Sequence, residues 1–259
     1  MNERPAPAHP QHRSGRALAH TGALRSGHPY GSDGRPPHTP RGARPRGRHD
    51  GSGTLPPVPG PSAVLLPALC AVLFALIAWQ VAAHGPLRAL DERLGRAAER
   101  SAVPSAAAHF FADLGNAPVA LPVLGLALAW AAWRARAWRA PLAATLAMAA
   151  VPALVVPLKA WIARPGPPMM GPEAHGGFFP SGHAATAAVA YGAAVLLLFG
   201  RPRWPVLLGL ALLNTCVGVG LVRCGYHWPL DVLGAWCLSG MVLWCLGRVL
   251  PGGPGASAG

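Results

Sequence analysis

From residue 62 onward the chain alternates between long apolar runs and short polar breaks. Six runs are long enough to cross the hydrocarbon core of a bilayer, which takes about 20 residues of helix. They lie at about 62–84, 114–133, 140–162, 183–200, 205–223 and 229–250. A soluble domain of this length would alternate polar and apolar faces, so unbroken runs of this kind predict membrane spans. Residues 85–104 follow a different rule. There Arg88, Asp91, Glu92, Arg93, Arg96, Glu99 and Arg100 are interleaved with Leu87, Leu90 and Leu94 at helical spacing, which predicts a short helix lying in the membrane interface. Prolines 118, 122, 141, 152 and 157 sit near or inside the runs, where membrane helices tolerate them. Trp130, Trp133, Trp138, Trp204 and Trp228 mark run ends, as interfacial anchors do. The expected fold is all-α, a polytopic membrane helix bundle with about six transmembrane helices.

Residues 1–61 are of another kind: Arg, Pro, Gly and His with almost no large apolar side chains. So little apolar area leaves the entropy of ordering without an offset, and a disordered basic N-terminal tail is expected. Its six histidines are scattered singly and read as solvated tail rather than as a metal site. The first apolar run starts too far from Met1, and is too long, for a signal peptide. The division is therefore a tail over 1–61, a membrane domain over 62–250 and a flexible C-terminal tail over 251–259.

The formal charge of +13 raises nucleic acid as a partner, but its distribution favours another. Nine arginines of the tail face only Glu3, Asp33 and Asp50, with Tyr30 the one aromatic among them. Attraction to anionic lipid head groups accounts for this pattern, and no specific nucleic acid is expected. Counting Lys and Arg in alternate loops gives 15 on the side of the tail and 7 on the other. The positive-inside rule then puts both termini in the cytoplasm of a plasma-membrane protein, with loops 163–182 and 224–228 both outside. The five cysteines form no C-x-x-C pair and read as small hydrophobes, with no disulfide or metal assigned.

Three polar clusters interrupt the spans on that outer side: Lys159 with Arg164-Pro165, then Pro180-Ser181-Gly182-His183, then Arg223 with His227 and Asp231. Ser181 stands where a helix N-cap would stand. The first amides of a helix lack partners and carry the positive end of its dipole, which makes an anion site. His227 and Asp231 are four apart around Trp228-Pro229, where proline would start the sixth span. The carboxylate can take the proton of one ring nitrogen and leave the other free to attack. Lys159, Arg164 and Arg223 would supply cations, Ser181 and the amides of Gly182 and His183 would hold phosphoryl oxygens, and His183 would protonate the leaving oxygen. Only Glu173 and Asp231 of the nine acidic residues fall near this pocket, too few for a two-metal cage, so neither metal nor cofactor is expected. A zinc site from His175, His183 and His227 is the metal alternative.

The order Lys…Arg-Pro, Pro-Ser-Gly-His, His-x-x-x-Asp resembles the three-part signature of the type 2 phosphatidic acid phosphatase superfamily, over roughly residues 105–247. That resemblance implies a six-helix membrane phosphatase acting on a lipid phosphate or lipid diphosphate. It makes His227 the nucleophile, Asp231 its partner, His183 the general acid, and Lys159, Ser181 and Gly182 phosphate ligands. Two places depart from the family pattern. Gly166 stands where the arginine of the first motif belongs, with Arg164 two residues earlier. Gly220 and Leu221 stand where the third motif has Ser-Arg, with Arg223 two residues later. Arg164 and Arg223 remain candidate phosphate ligands if local unwinding restores their reach, and a helix continuing past Arg223 would put it on one face with His227. A phosphotransferase and a catalytically degenerate lipid-phosphate binder or transporter are the alternatives.

Overall fold

A computed structural model describes residues 61–171 and 177–250, with side chains from residue 64. The tails over 1–60 and 251–259, and with them the expected disorder, lie outside the described residues, as do Glu173 and His175. Every regular element among the described residues is helical: α1 (Pro61–Ala82), α2 (Pro86–Glu99), α3 (Ser105–Asp113), α4 (Ala117–Ala135), α5 (Arg139–Ile162), α6 (Gly182–Phe199), α7 (Trp204–Arg223) and α8 (Pro229–Val249). Six of them, α1 and α4 to α8, are long and apolar enough to span a bilayer. The chain is thus an all-helical, multi-pass membrane protein.

Helix α6 is the axis of the bundle and packs against α4, α5, α7 and α8. It can do so because its inner half is nearly all small: Ala184, Ala185, Ala187, Ala188, Ala190, Ala193 and Ala194 are buried. Between membrane helices the attraction comes mainly from packing, so small side chains that admit close backbones take the place of bulky ones. Tyr191 on α6 donates its hydroxyl to the Leu114 carbonyl at 2.7 Å, tying the axis to the end of α3.

Helix α2 forms where the short interfacial helix is expected, and its orientation is informative. Leu87, Leu90 and Leu94 are exposed, whereas Asp91 and Gly95 are buried. The apolar stripe points away from the protein, as a helix resting on lipid would place it, and the opposite edge delivers a carboxylate to the bundle. Helix α3 has no counterpart in the hydropathy pattern. It lies on α7 so closely that a methyl group at Gly220 would come within 2.5 Å of the Ala108 carbonyl. Gly220 and the fully buried Leu221, the two positions that depart from the family's third motif, are packing positions here.

Candidate active site

Three chain breaks build the site. Helix α5 stops at Ile162, where Ala163 turns left-handed at φ 46° and Pro165 blocks continuation. The loop that follows pairs with the segment before α6, the Phe178 amide donating to the Arg164 carbonyl at 2.9 Å. Gly177 lies in that segment at φ 80°, and any β-carbon there would strike the Lys159 carbonyl. Only glycine fits both the backbone and the space.

Ser181 caps α6 as the sequence predicts, its Oγ accepting from the Ala184 amide at 3.2 Å. Its own amide donates to the Asp231 carbonyl at 2.9 Å, which joins the start of α6 to the first turn of α8. Gly182 and His183 are the first two residues of α6, where amides have no acceptor within the helix. The His183 ring is exposed and lies 6.0 Å, centroid to centroid, from the buried ring of His227, at an interplanar angle of 64°. Phe178 touches both His227, at 5.7 Å between centroids, and Lys159, whose Nζ is 6.0 Å from the Phe178 ring.

The sixth span starts at Pro229, so His227 precedes the helix and Asp231 sits in its first turn. The carboxylate of Asp231 is fully used. Oδ2 accepts from the Trp228 amide at 3.0 Å and lies 3.4 Å from His227 Nδ1. Oδ1 accepts from Arg164 Nη1 at 2.7 Å. With Nδ1 facing Asp231, the imidazole presents Nε2 for chemistry.

Arg164 is not open to an anion as placed. Its guanidinium is fully buried, with Nη1 on Asp231 and Nη2 on Asp91 Oδ2 at 2.6 Å. Its Nε has no hydrogen-bond partner among the described residues. The arginine therefore stands behind Asp231 as a counterion. Asp91, which sequence reasoning left on the interfacial helix, completes the arrangement by accepting from the Leu230 amide at 2.8 Å through Oδ1. Burial pushes the Asp91 carboxyl up from its ordinary range, while Arg164 beside it pulls the other way. Trp228 closes the cluster, its Nε1 donating to the Pro165 carbonyl at 3.1 Å and its ring lying 5.6 Å from the Arg164 guanidinium carbon.

Arg223 is not brought to the histidines. Helix α7 ends at this residue and Gly225 at φ 66° turns the chain, so the face that Arg223 would share with His227 in a longer helix is never formed. Its Nε donates to the Val103 carbonyl at 3.0 Å, and its side chain borders a separate groove with Val219, Val232, Leu233 and Trp236. Gly166, the other place where the family pattern has arginine, is filled from across the loop: a methyl there would come within 2.5 Å of the Phe178 ring.

Beside His183 opens a cavity of about 430 Å³ between α4, α5 and α6. Lys159, Gly182, His183 and Thr186 form one part of its wall, and Leu121, Met148, Val151, Pro152 and Val156 another. At the rise of an α-helix the stretch from Met148 to Lys159 is about 16 Å long, half the depth of a hydrocarbon core. Among the described residues no three His, Cys, Asp or Glu side chains are grouped to hold a metal ion.

The chain is similar to known proteins over the segment that carries these clusters. The PAP2 superfamily model matches residues 140–251, which include all three polar clusters. The solved transmembrane PAP2-type phosphatidylglycerolphosphate phosphatase from Bacillus subtilis superimposes with a TM-score of 0.60 at 26% identity, over 70% of this chain and 94% of that one. An undecaprenyl-diphosphatase of Sulfolobus acidocaldarius is 34% identical over 76 residues, 29% of this chain. That match spans about a third of the relative's length, 35%. Over residues 140–251, the segment that carries its histidines, this membrane-spanning chain matches the PAP2 superfamily.

Proposed function

We propose that the protein is a membrane phosphatase that hydrolyses a lipid phosphate or lipid diphosphate through a phosphohistidine on His227. The observation that carries this reading is the approach of the two imidazoles, 6.0 Å apart, with His183 lining a cavity that runs into the apolar part of the bundle. His227 Nε2 attacks phosphorus while Asp231 holds Nδ1–H. The bond from phosphorus to the lipid oxygen breaks, and His183 gives that oxygen a proton. Water then attacks the phosphohistidine, His183 takes a proton from it, and the P–N bond breaks to free inorganic phosphate and the starting imidazole. Lys159, Ser181 and the free amides of Gly182 and His183 stabilise the charge that gathers on the equatorial oxygens. The chain of the substrate lies along Met148, Val151 and Val156, which explains why such an enzyme is built from membrane helices. The loop asymmetry in Lys and Arg orients the site outward from a plasma membrane with both termini in the cytoplasm. The basic tail over 1–61 then meets anionic head groups of the inner leaflet.

A second reading has specific support. Arg164 is committed to two carboxylates and Arg223 lies elsewhere, which leaves Lys159 as the cation nearest the histidines. A protein that binds a lipid phosphate without turning it over would have the same fold. Phosphate release from phosphatidate, phosphatidylglycerol phosphate and a polyprenyl diphosphate separates the two. Activity lost in His227→Ala and His183→Ala supports the enzyme, whereas wild type and variants that bind lipid and are equally inert support the binder.

A further inference from the structure

We propose that Asp91 is a positioning residue for His227: by holding one edge of the Arg164 guanidinium it sets how much of the Asp231 carboxylate charge is left for the imidazole. The proposal rests on the reading of His227 as nucleophile. Asp91 comes from α2, outside the six spanning helices, yet it is 3% exposed and reaches Arg164 at 2.6 Å. Arg164 in turn reaches Asp231 at 2.7 Å, and Asp231 faces His227 Nδ1 at 3.4 Å. Two carboxylates and one guanidinium leave a formal charge of −1 beside the imidazole, in a setting where water screens little. Without Asp91 the guanidinium would belong to Asp231 alone and neutralise it. With Asp91 present, Asp231 keeps the capacity to stabilise a cationic His227 ring, which is the form that develops as phosphorus is attacked. Asp91 also fixes the position of the carboxylate, because its Oδ1 accepts from the amide of Leu230, the residue just before Asp231.

Other charged groups lie around the cluster, and Lys159 also feels the Asp231 charge. Lys159 of α5 lies across Phe178, His183 opens α6, and Asp113 of α3 acts on His183. Arg96 of α2 lies over the far part of the cluster, 5.9 Å from the Trp228 ring, while Arg223 of α7 is turned to the Val103 carbonyl. None of these contacts both carboxylates. Arg164 does, so removal of Arg164 and removal of Asp91 must change the basicity of His227 in opposite directions. A mere anchor for α2 would produce no such opposition.

The test uses full-length protein in lipid nanodiscs, as wild type, Asp91→Asn, Arg164→Gln and the double variant. Carbethoxylation of His227 by diethyl pyrocarbonate, located by peptide mass spectrometry, reports imidazole protonation against pH without turnover. The midpoint is expected to fall by about one pH unit in Asp91→Asn and to rise by about one unit in Arg164→Gln, tenfold each in the protonation equilibrium. The double variant is expected near wild type. The acidic limb of the pH profile for phosphate release should move with the midpoint. Midpoints that coincide, or that move in the same direction, overturn the proposal. Opposite shifts in a protein that releases no phosphate from any lipid sustain the role of Asp91 and overturn the phosphatase reading instead. Should Asp91→Asn fail to fold, Asp91→Glu must restore both folding and the wild-type midpoint, and a shifted midpoint there counts against the proposal.

Discussion

His183 and His227 face each other at 6.0 Å between ring centroids, one at the first turn of α6 and the other just ahead of α8. The two helix starts are tied by the hydrogen bond from the Ser181 amide to the Asp231 carbonyl, 2.9 Å long. The pairing of the imidazoles is therefore a property of backbone packing, and each ring can be altered without displacing the other. Distinct roles for the two follow, and they can be separated.

If His183 protonates the leaving oxygen, its loss should matter in proportion to how badly that oxygen needs a proton. His183→Ala is expected to lower kcat/KM on an alkyl lipid phosphate by about 10²–10⁴-fold. On an aryl phosphate, whose phenolate leaves unaided, the loss in kcat/KM, which covers only the steps up to departure of the leaving group, should be much smaller. Steady-state kinetics on the two substrate types checks this. Equal losses in kcat/KM on both would assign His183 to binding rather than to protonation of the leaving oxygen.

Gly177 predicts a stability effect at the edge of the site. Alanine there adds a left-handed backbone cost to a collision with the Lys159 carbonyl, so Gly177→Ala should cost about 2 kcal/mol or more. Gly171 also has positive φ, 74°, but no described residue would meet a β-carbon there, so Gly171→Ala bears the backbone cost alone and should lose less. Thermal unfolding of the two variants in one detergent compares them directly. Equal losses would mean that the Lys159 carbonyl yields.

Chelation distinguishes the phosphohistidine route from metal-assisted hydrolysis. The groups assigned to the phosphoryl oxygens are an ammonium, a hydroxyl and amides, so phosphate release should persist at its full rate in EDTA. Loss of activity on chelation, with rescue by a divalent cation, would contradict the assignment.

Asp91 gives a stability signature with a definite sign. Burial raises its carboxyl above the ordinary value of 3.8, so between that value and the raised one the folded state holds more protons than the unfolded chain. The stability contributed by this group must fall as pH rises through that window, opposite to the usual surface carboxylate. The unfolding midpoint of wild type relative to Asp91→Asn should decline as pH rises above about 4. A difference that is flat or increases with pH would contradict the burial argument.

Much of this architecture is legible along the chain because the rules that write it are local. A bilayer demands about 20 apolar residues per span, and the six runs coincide with α1 and α4 to α8 to within a few residues at each end. The cap at Ser181 and the helix start at Pro229 follow from single residues with strong positional preferences. Helix α3 escapes because nine residues of mostly alanine and phenylalanine carry no period that hydropathy can detect. The turn of Arg223 toward the Val103 carbonyl is not legible in the sequence, because the end of α7 depends on the left-handed turn at Gly225, one residue ahead of Tyr226. Arg164 and Asp91 lie 73 positions apart, and nothing in a run of neighbours announces a buried pair of that separation. Asp91 shares its helix with five other charged residues, which hides the one that faces inward.

The most direct measurement is to trap the intermediate. Purified protein is mixed with a lipid phosphate labelled in its phosphoryl group, quenched in alkali to preserve phosphohistidine, and digested for mass spectrometry. The account predicts label on the peptide containing residue 227, carried by the imidazole and absent in His227→Ala. Phosphate release at full rate with no label on that peptide, or label that persists in His227→Ala, would contradict it.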